Sequence, residues 1–129
     1  MSDSLIRILV VDDHPLVRKS IMAMLTREPD MEVVGTAENG REAIQLAEET
    51  APDVIVMDVS MPVLDGIRAA DEIQTLAISP QIIMLSMHHN SVLVQQARKN
   101  GAVGYIDKQQ ANRELVPAIR AAYAGKLSL

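Results

Sequence analysis

Apolar residues in this chain fall into short unbroken runs and into helical spacings, and the two kinds of pattern alternate five times. The first run, Ile6–Val11, is interrupted only by Arg7 and stops at Asp12-Asp13. The second, Met31–Ala37, is weaker and partly alternating, as an edge strand is. Val54-Ile55-Val56-Met57 and Ile82-Ile83-Met84-Leu85 are apolar throughout. Runs of that length read as strands buried on both faces, here over 54–58 and 81–86. A short fifth strand is predicted over 103–106.

Between the runs, apolar residues recur at helical spacing. Leu16, Ile21, Met24 and Leu25 share one predicted face, and Ala43, Ile44, Leu46 and Ala47 the next. Ile67, Ala70, Ile73 and Leu76 mark a third helix, Val94 and Ala97 a fourth, and Leu115, Ile119 and Ala122 the last. Pro15 suits the first helical position, where its missing N–H would be unpaired anyway. Asn39-Gly40 turns the chain into the second helix, Pro52 ends it, and Lys99-Asn100-Gly101 is a C-terminal stop for the fourth. Pro117 conflicts with its surroundings, because inside a helix it deletes a hydrogen bond at a cost of about 3 kcal/mol. The last helix is therefore expected to begin late or to bend there. Strand and helix in alternation predict an α/β domain, a parallel sheet with helices on both faces and right-handed crossovers.

Composition narrows the chemistry. At 129 residues the chain is read as one domain over 1–129, and 48% hydrophobic content supplies its core without a staple. Cys is absent, which removes disulfides, thiolate metal sites and cysteine nucleophiles, and fits a cytoplasmic location. With no Trp or Phe and two Tyr, stacking platforms for single-stranded nucleic acid are not expected. A formal net charge of −5 argues against direct nucleic-acid binding by this segment. No apolar run approaches a membrane span, and the first four residues lack the basic start of a signal peptide.

The polar residues that end the strands then gain meaning. Parallel strands bring their carboxyl ends to one edge, where open α/β sheets build ligand sites. The first strand delivers Asp12 and Asp13, the third Asp58, the fourth Ser86 and the fifth Lys108. Pro62 cannot join a ladder, so Asp58 sits where its strand leaves the sheet. Taken singly, each has an ordinary reading as a helix-start acid, a turn residue or a solvated lysine. Taken together, three converging carboxylates repel one another unless a cation intervenes. All-oxygen ligands suit a hard ion such as Mg²⁺, which takes one or two carboxylates and keeps several waters. A lysine and a hydroxyl opposite would receive an anion, completing the parts of a phosphoryl-transfer site.

Val10-Val11-Asp12-Asp13, Met57-Asp58 with Met61-Pro62 and Asp65-Gly66, Ser86, and Gly104-Tyr105-Ile106-Asp107-Lys108 together resemble the response-regulator receiver domain of two-component signalling. The likeness runs in order over about residues 6–124. Asp12-Asp13-His14-Pro15, 101–105 and the closing 124–128 are similar to the NarL/FixJ-type subfamily. The resemblance implies a flavodoxin-like, CheY-like doubly wound sheet of five strands in order 2-1-3-4-5, with five helices. It makes Asp58 the phosphoacceptor for a sensor histidine kinase. Asp13 and Asp58 would bind Mg²⁺ (or Mn²⁺) with the Ser60 backbone carbonyl, and Asp12 would act through water. Lys108 would pair with the phosphoryl oxygens, while Ser86 and Tyr105 would form the switch. Ser60 and His88 would tune self-dephosphorylation. A homodimer formed on phosphorylation is one state the likeness allows. DNA would be reached only through a helix-turn-helix output domain that this chain does not contain, and no membrane is involved.

One departure stands out. Many receivers follow the lysine with proline, often through a cis bond, whereas Gln109 follows Lys108 and predicts a trans bond. Two rivals fail on the residues. A flavin protein of this fold would want a Ser/Thr/Gly-rich phosphate loop where Asp12-Asp13 stands. A haloacid-dehalogenase-type phosphatase would want a D-x-D pattern after the first strand. The alternative that remains is a pseudo-receiver, an interaction module that no longer uses phosphate. Retention of every acid, the hydroxyl and the lysine argues against it.

Overall fold

The computed structural model describes residues 5–88 and 90–129; the amino-terminal stretch read above for a leader lies outside them. Its elements are β1 (Ile6–Val11), α1 (Pro15–Thr26), β2 (Met31–Ala37), α2 (Gly40–Thr50) and β3 (Val54–Asp58). There follow α3 (Gly66–Ile73), β4 (Gln81–Ser86), α4 (Ser91–Lys99), β5 (Ala102–Asp107) and α5 (Ala111–Tyr123). The strands form one sheet in the order β2-β1-β3-β4-β5, and every pairing is parallel. That is the doubly wound topology expected from the alternation and from the resemblance.

Because side chains alternate across a strand, each central strand feeds two cores. Leu9, Val11, Ile55, Met57, Ile82 and Met84 pack with Ala43, Ala47, Ala69, Ala70, Ile73 and Ala97, beneath α2, α3 and α4. Ile8, Val10, Val54, Val56, Ile83 and Leu85 face the other way, onto Ile21, Leu25, Leu115 and Ile119 of α1 and α5. All five residues of β3 are buried, as its position in the middle of the sheet requires. The small alanines of α2 and α3 let those helices lie close to the sheet.

Three expectations from the sequence pattern are corrected, at Leu16, at Leu76 and at the ends of the fifth strand. Leu16 is 81% exposed. At 3.6 residues per turn it stands about 140° from Ile21, and Val17, four residues before Ile21, takes the inward place instead. The third helix ends at Ile73 rather than reaching Leu76. Thr75 donates N–H and hydroxyl to the Glu72 carbonyl, a tight turn that still leaves Leu76 half-buried against the core. Of the two outcomes expected at Pro117, a late start is not the one found, since the last helix runs from Ala111 through Pro117. Pro117 lies on the solvent face, where the carbonyl it fails to bond can be hydrated, while Leu115 and Ile119 are fully buried beside it. The fifth strand is longer than expected by one residue at each end.

Candidate functional site

The carboxyl edge of the sheet gathers the predicted residues. Asp12 follows β1 and is completely buried; Asp58 closes β3 and is 3% exposed. Lys108 begins the 3₁₀ turn after β5, which the Asp107 side chain caps by accepting from the Gln109 N–H at 2.8 Å. Among the described residues no peptide bond is cis, so the Lys108–Gln109 bond is trans as its sequence suggested. Lys108 Nζ donates to Asp58 Oδ2 at 3.0 Å. The same ammonium lies 2.8 Å from Asp12 Oδ2, close as a charge but not aligned as a hydrogen bond.

This ion triad sets the electrostatics. Burial is the largest influence on Asp58 and pushes its carboxyl above the ordinary value. Lys108 pulls it back, the Asp12 charge pushes it further up, and the Ser60 N–H, at 3.2 Å from Asp58 Oδ1, restrains it slightly. For Lys108, burial acts downward, but contact with Asp12 and Asp58 and their charges outweigh it and leave the ammonium above its usual value.

Gly66 explains why the β3–α3 loop keeps Asp58 in place. A Cβ on Gly66 would stand 2.2 Å from the Asp58 backbone oxygen, so no other residue lets α3 start this close to the strand end. The Gly66 N–H donates to the Val59 carbonyl at 2.9 Å, and the Asp65 side chain caps α3 by accepting from the Arg68 N–H at 2.9 Å. The Asp65-Gly66 pair is thus a cap and a close approach in succession.

Asp12, Asp13, Asp58 and His14 each offer an atom within 4.8 Å of the others. Asp12 Oδ2 and Asp13 Oδ1 are buried atoms that accept no hydrogen bond among the described residues. Lys108 meets Asp12 Oδ2 at 2.8 Å and His14 Nδ1 lies 3.2 Å from Asp13 Oδ1, but these two groups face three clustered carboxylates, and a hard cation would supply the missing positive charge. The acidic cluster therefore has the donors for a metal ion, as the sequence suggested.

Two site neighbours were not singled out from the sequence. His14 Nδ1 lies 3.1 Å from Asp12 Oδ1 and 3.2 Å from Asp13 Oδ1, and the His14 N–H also donates to Asp12 Oδ1 at 2.8 Å. Arg18 donates from a guanidinium nitrogen to the Asp12 carbonyl at 2.7 Å. The signal for His14 was its place directly after the acidic pair; Arg18, one turn into α1, gave none.

The remaining predicted residues form a neighbouring group. Ser86 is 2% exposed, and its hydroxyl donates to the His88 carbonyl at 3.0 Å while accepting from the His88 N–H at 2.9 Å. The Tyr105 hydroxyl donates to that same carbonyl at 3.0 Å. Ser86 and Tyr105 are thus joined through the His88 backbone, with the His88 and Ser60 side chains exposed at the rim.

The chain matches the response regulator receiver domain family over residues 8–120. It is 36% identical over 122 residues to the nitrate/nitrite response regulator protein NarL of Escherichia coli strain K12, covering 95% of this chain and 56% of that protein. It is 40% identical over 125 residues to the transcriptional regulatory protein LiaR of Bacillus subtilis strain 168, covering 97% and 59% respectively. A LuxR-family two-component response regulator from Aurantimonas superposes with a TM-score of 0.92 at 38% identity, over 98% of this chain and 90% of that one. The signal receiver domain of NarL from Mycobacterium tuberculosis superposes at 0.91 with 31% identity, over 95% and 99%. The chain belongs to the response regulator receiver domain family, with relatives of the NarL type. It spans 56% and 59% of the lengths of the two curated relatives. Among the described residues, no helix is long and apolar enough to cross a membrane.

Proposed function

We propose that this receiver domain accepts a phosphoryl group on Asp58 from the phosphohistidine of a sensor histidine kinase. The observation that carries the reading is the buried Asp58 carboxylate, held by Lys108 and clustered with two further acids, Asp12 and Asp13. An Asp58 carboxylate oxygen attacks phosphorus, a new O–P bond forms as the N–P bond of the donor breaks, and the released imidazole takes up a proton. Burial strips water from the attacking carboxylate, and Lys108 steadies the charge that gathers on the phosphoryl oxygens. The Ser60 N–H fixes the orientation of the acceptor through Asp58 Oδ1.

Mg²⁺, or Mn²⁺ in its place, would be held by Asp13, Asp58 and the Ser60 backbone carbonyl, with Asp12 acting through water. When bound, it would neutralise charge on the transferring phosphoryl group. Ser86 would turn its hydroxyl from the His88 carbonyl to the new phosphoryl oxygens, and Tyr105, on the same carbonyl, would respond. The output follows from the relative LiaR, which is named as a transcriptional regulatory protein. Our reading is control of transcription in the cytoplasm through a helix-turn-helix domain outside this sequence, with a phosphorylation-induced homodimer as one route.

Incubation with a small phosphodonor, with and without Mg²⁺, tests the reading by intact mass. Addition of one phosphoryl group only when Mg²⁺ is present supports it. No addition under either condition would return the chain to a phosphate-independent interaction module.

A further inference from the structure

The segment after α5 folds back onto the domain. Gly125 takes φ +73, its N–H bonds the Ala122 carbonyl at 3.0 Å, and the Lys126 N–H bonds the Ala121 carbonyl at 2.8 Å. This pair of bonds closes the helix and reverses the chain. Nothing lies within 4 Å of where a Gly125 Cβ would be, so the glycine serves the backbone angle and not a tight contact. The reversal brings Leu127 over β5, the edge strand of the sheet. A Cβ on Gly104 of β5 would stand 3.0 Å from Leu127 Cδ2, so the missing side chain of one residue makes the seat of the other. Leu127 packs against the core on the α1 and α5 side. Leu129 borders a hollow of about 310 Å³ whose other walls are Ser91, Val94 and Gln95 of α4 and Tyr105 of β5. The segment therefore wraps around the sheet edge from the α5 side to the α4 side.

Tyr105 connects that hollow to the rim. Its hydroxyl and that of Ser86 share the His88 carbonyl, each at 3.0 Å. Any change in one donor alters the position available to the other.

We propose that residues 126–129 are a latch that covers the β5 edge and the Tyr105 hollow, and that the state of the Ser86–His88–Tyr105 junction decides whether it stays seated. An open strand edge is a template for pairing with another chain, and a seated latch hides it. The seat is a property of this fold alone, whereas its trigger rests on Asp58 being the phosphoacceptor. Withdrawal of the Ser86 hydroxyl towards phosphoryl oxygens lets the Tyr105 ring move into the freed space, which widens the hollow and loosens Leu129. A partner docking on the α4–β5 face must then compete with the latch only in the unphosphorylated state.

The test is methyl NMR on the whole chain with labelled leucines. In the native protein, Leu127 methyls should show contacts to Gly104, and Leu129 methyls should be displaced from random-coil positions by the Tyr105 ring. Tyr105→Leu should return Leu129 to random-coil positions while leaving the Leu127–Gly104 contact. Gly104→Ala should displace Leu127, with amide shifts of β1 and β3 unchanged to show the fold intact. A phosphodonor with Mg²⁺ should then shift Leu129 towards its random-coil position. Random-coil positions for both leucines in the native protein would overturn the latch. An unmoved Leu129 in protein shown by mass to carry phosphate would overturn the coupling. If no phosphate is taken up, the reading of Asp58 fails, and the two variants decide the seat: Leu129 unchanged by Tyr105→Leu overturns it.

Discussion

Lys108 Nζ donates to Asp58 Oδ2 at 3.0 Å, although fifty positions separate the two residues in sequence. The fold brings them together because β3 and β5 both end at the same edge, with only β4 between them. The ammonium also touches Asp12, so one positive charge serves two buried carboxylates. That leaves an excess of negative charge in a dry place, and the account of function rests on it.

The imbalance should appear in stability as a function of pH. Folding raises the Asp58 value, so the folded chain holds this proton more tightly than the unfolded one. Stability from this group is therefore greatest below the unfolded carboxyl value of about 3.9 and falls as pH rises through the raised folded value. Asp58→Asn removes the charge and should be more stable than native protein at neutral pH without metal, by about 0.5–2 kcal/mol. Below about pH 4 the advantage should vanish. Urea unfolding at several pH values checks this; equal stability at pH 7 would contradict it.

Gly66 gives a second expectation. With a Cβ 2.2 Å from the Asp58 carbonyl, Gly66→Ala must push the end of β3 away from the start of α3. Overpacking of this kind costs about 1–3 kcal/mol. If Asp58 is the acceptor, the variant should also take phosphate more slowly, since Asp58 sits on the displaced backbone. Urea unfolding and a phosphorylation time course read the two effects, and a native rate would show that the close approach does not position Asp58.

Much of this was legible beforehand, for identifiable reasons. The strands could be read because Ile8-Leu9-Val10-Val11, Val54-Ile55-Val56-Met57 and Ile82-Ile83-Met84-Leu85 are buried on both faces, which leaves no room for a polar residue. The site could be read because parallel strands force Asp12, Asp58, Ser86 and Lys108 to one edge whatever their separation. Side-chain direction was less accessible. Leu16 looks as apolar as Val17, and only helix phase tells which points inward. That the Ser86 hydroxyl turns to the His88 carbonyl, and that His14 lies against both acids, depends on local loop geometry. The role of Gly66 depends on a backbone approach that spacing does not record. Pro117 does not delay the start of α5, because it falls on the face opposite Leu115 and Ile119.

Metal binding isolates the part played by Asp13. Its carboxylate is partly exposed and, among the described residues, its buried oxygen is met only by His14 Nδ1 at 3.2 Å, so the fold can lose it. Asp13→Ala should keep the fold but lose at least about tenfold in Mg²⁺ affinity, equivalent to about 1.4 kcal/mol. Native protein should gain melting temperature as Mg²⁺ is added, and the variant should need at least about tenfold more Mg²⁺ for the same gain. Mg²⁺-dependent phosphorylation should be abolished in the same variant; uptake at the native rate would remove Asp13 from the metal site.

The lifetime of the phosphoryl group should depend on the rim. Ser60 and His88 present exposed side chains beside Asp58 and Ser86, where water must approach in line with the leaving carboxylate. Ser60→Ala and His88→Ala should change the decay rate without changing Mg²⁺ binding or the capacity to accept phosphate. His88 keeps its backbone bonds to Ser86 and Tyr105 in that variant, so the comparison reads the side chain alone. Decay curves after removal of the phosphodonor should separate the three proteins, and superimposable curves would show that these side chains do not gate the water.

Replacement of Asp58 shows whether this residue is the one that takes the phosphoryl group. Native protein and Asp58→Asn are incubated side by side with a small phosphodonor and Mg²⁺, and their intact masses are recorded. The native chain should gain one phosphoryl group and the variant none, with both still folded. An equal gain on Asp58→Asn would place the acceptor elsewhere and contradict the role given to Asp58.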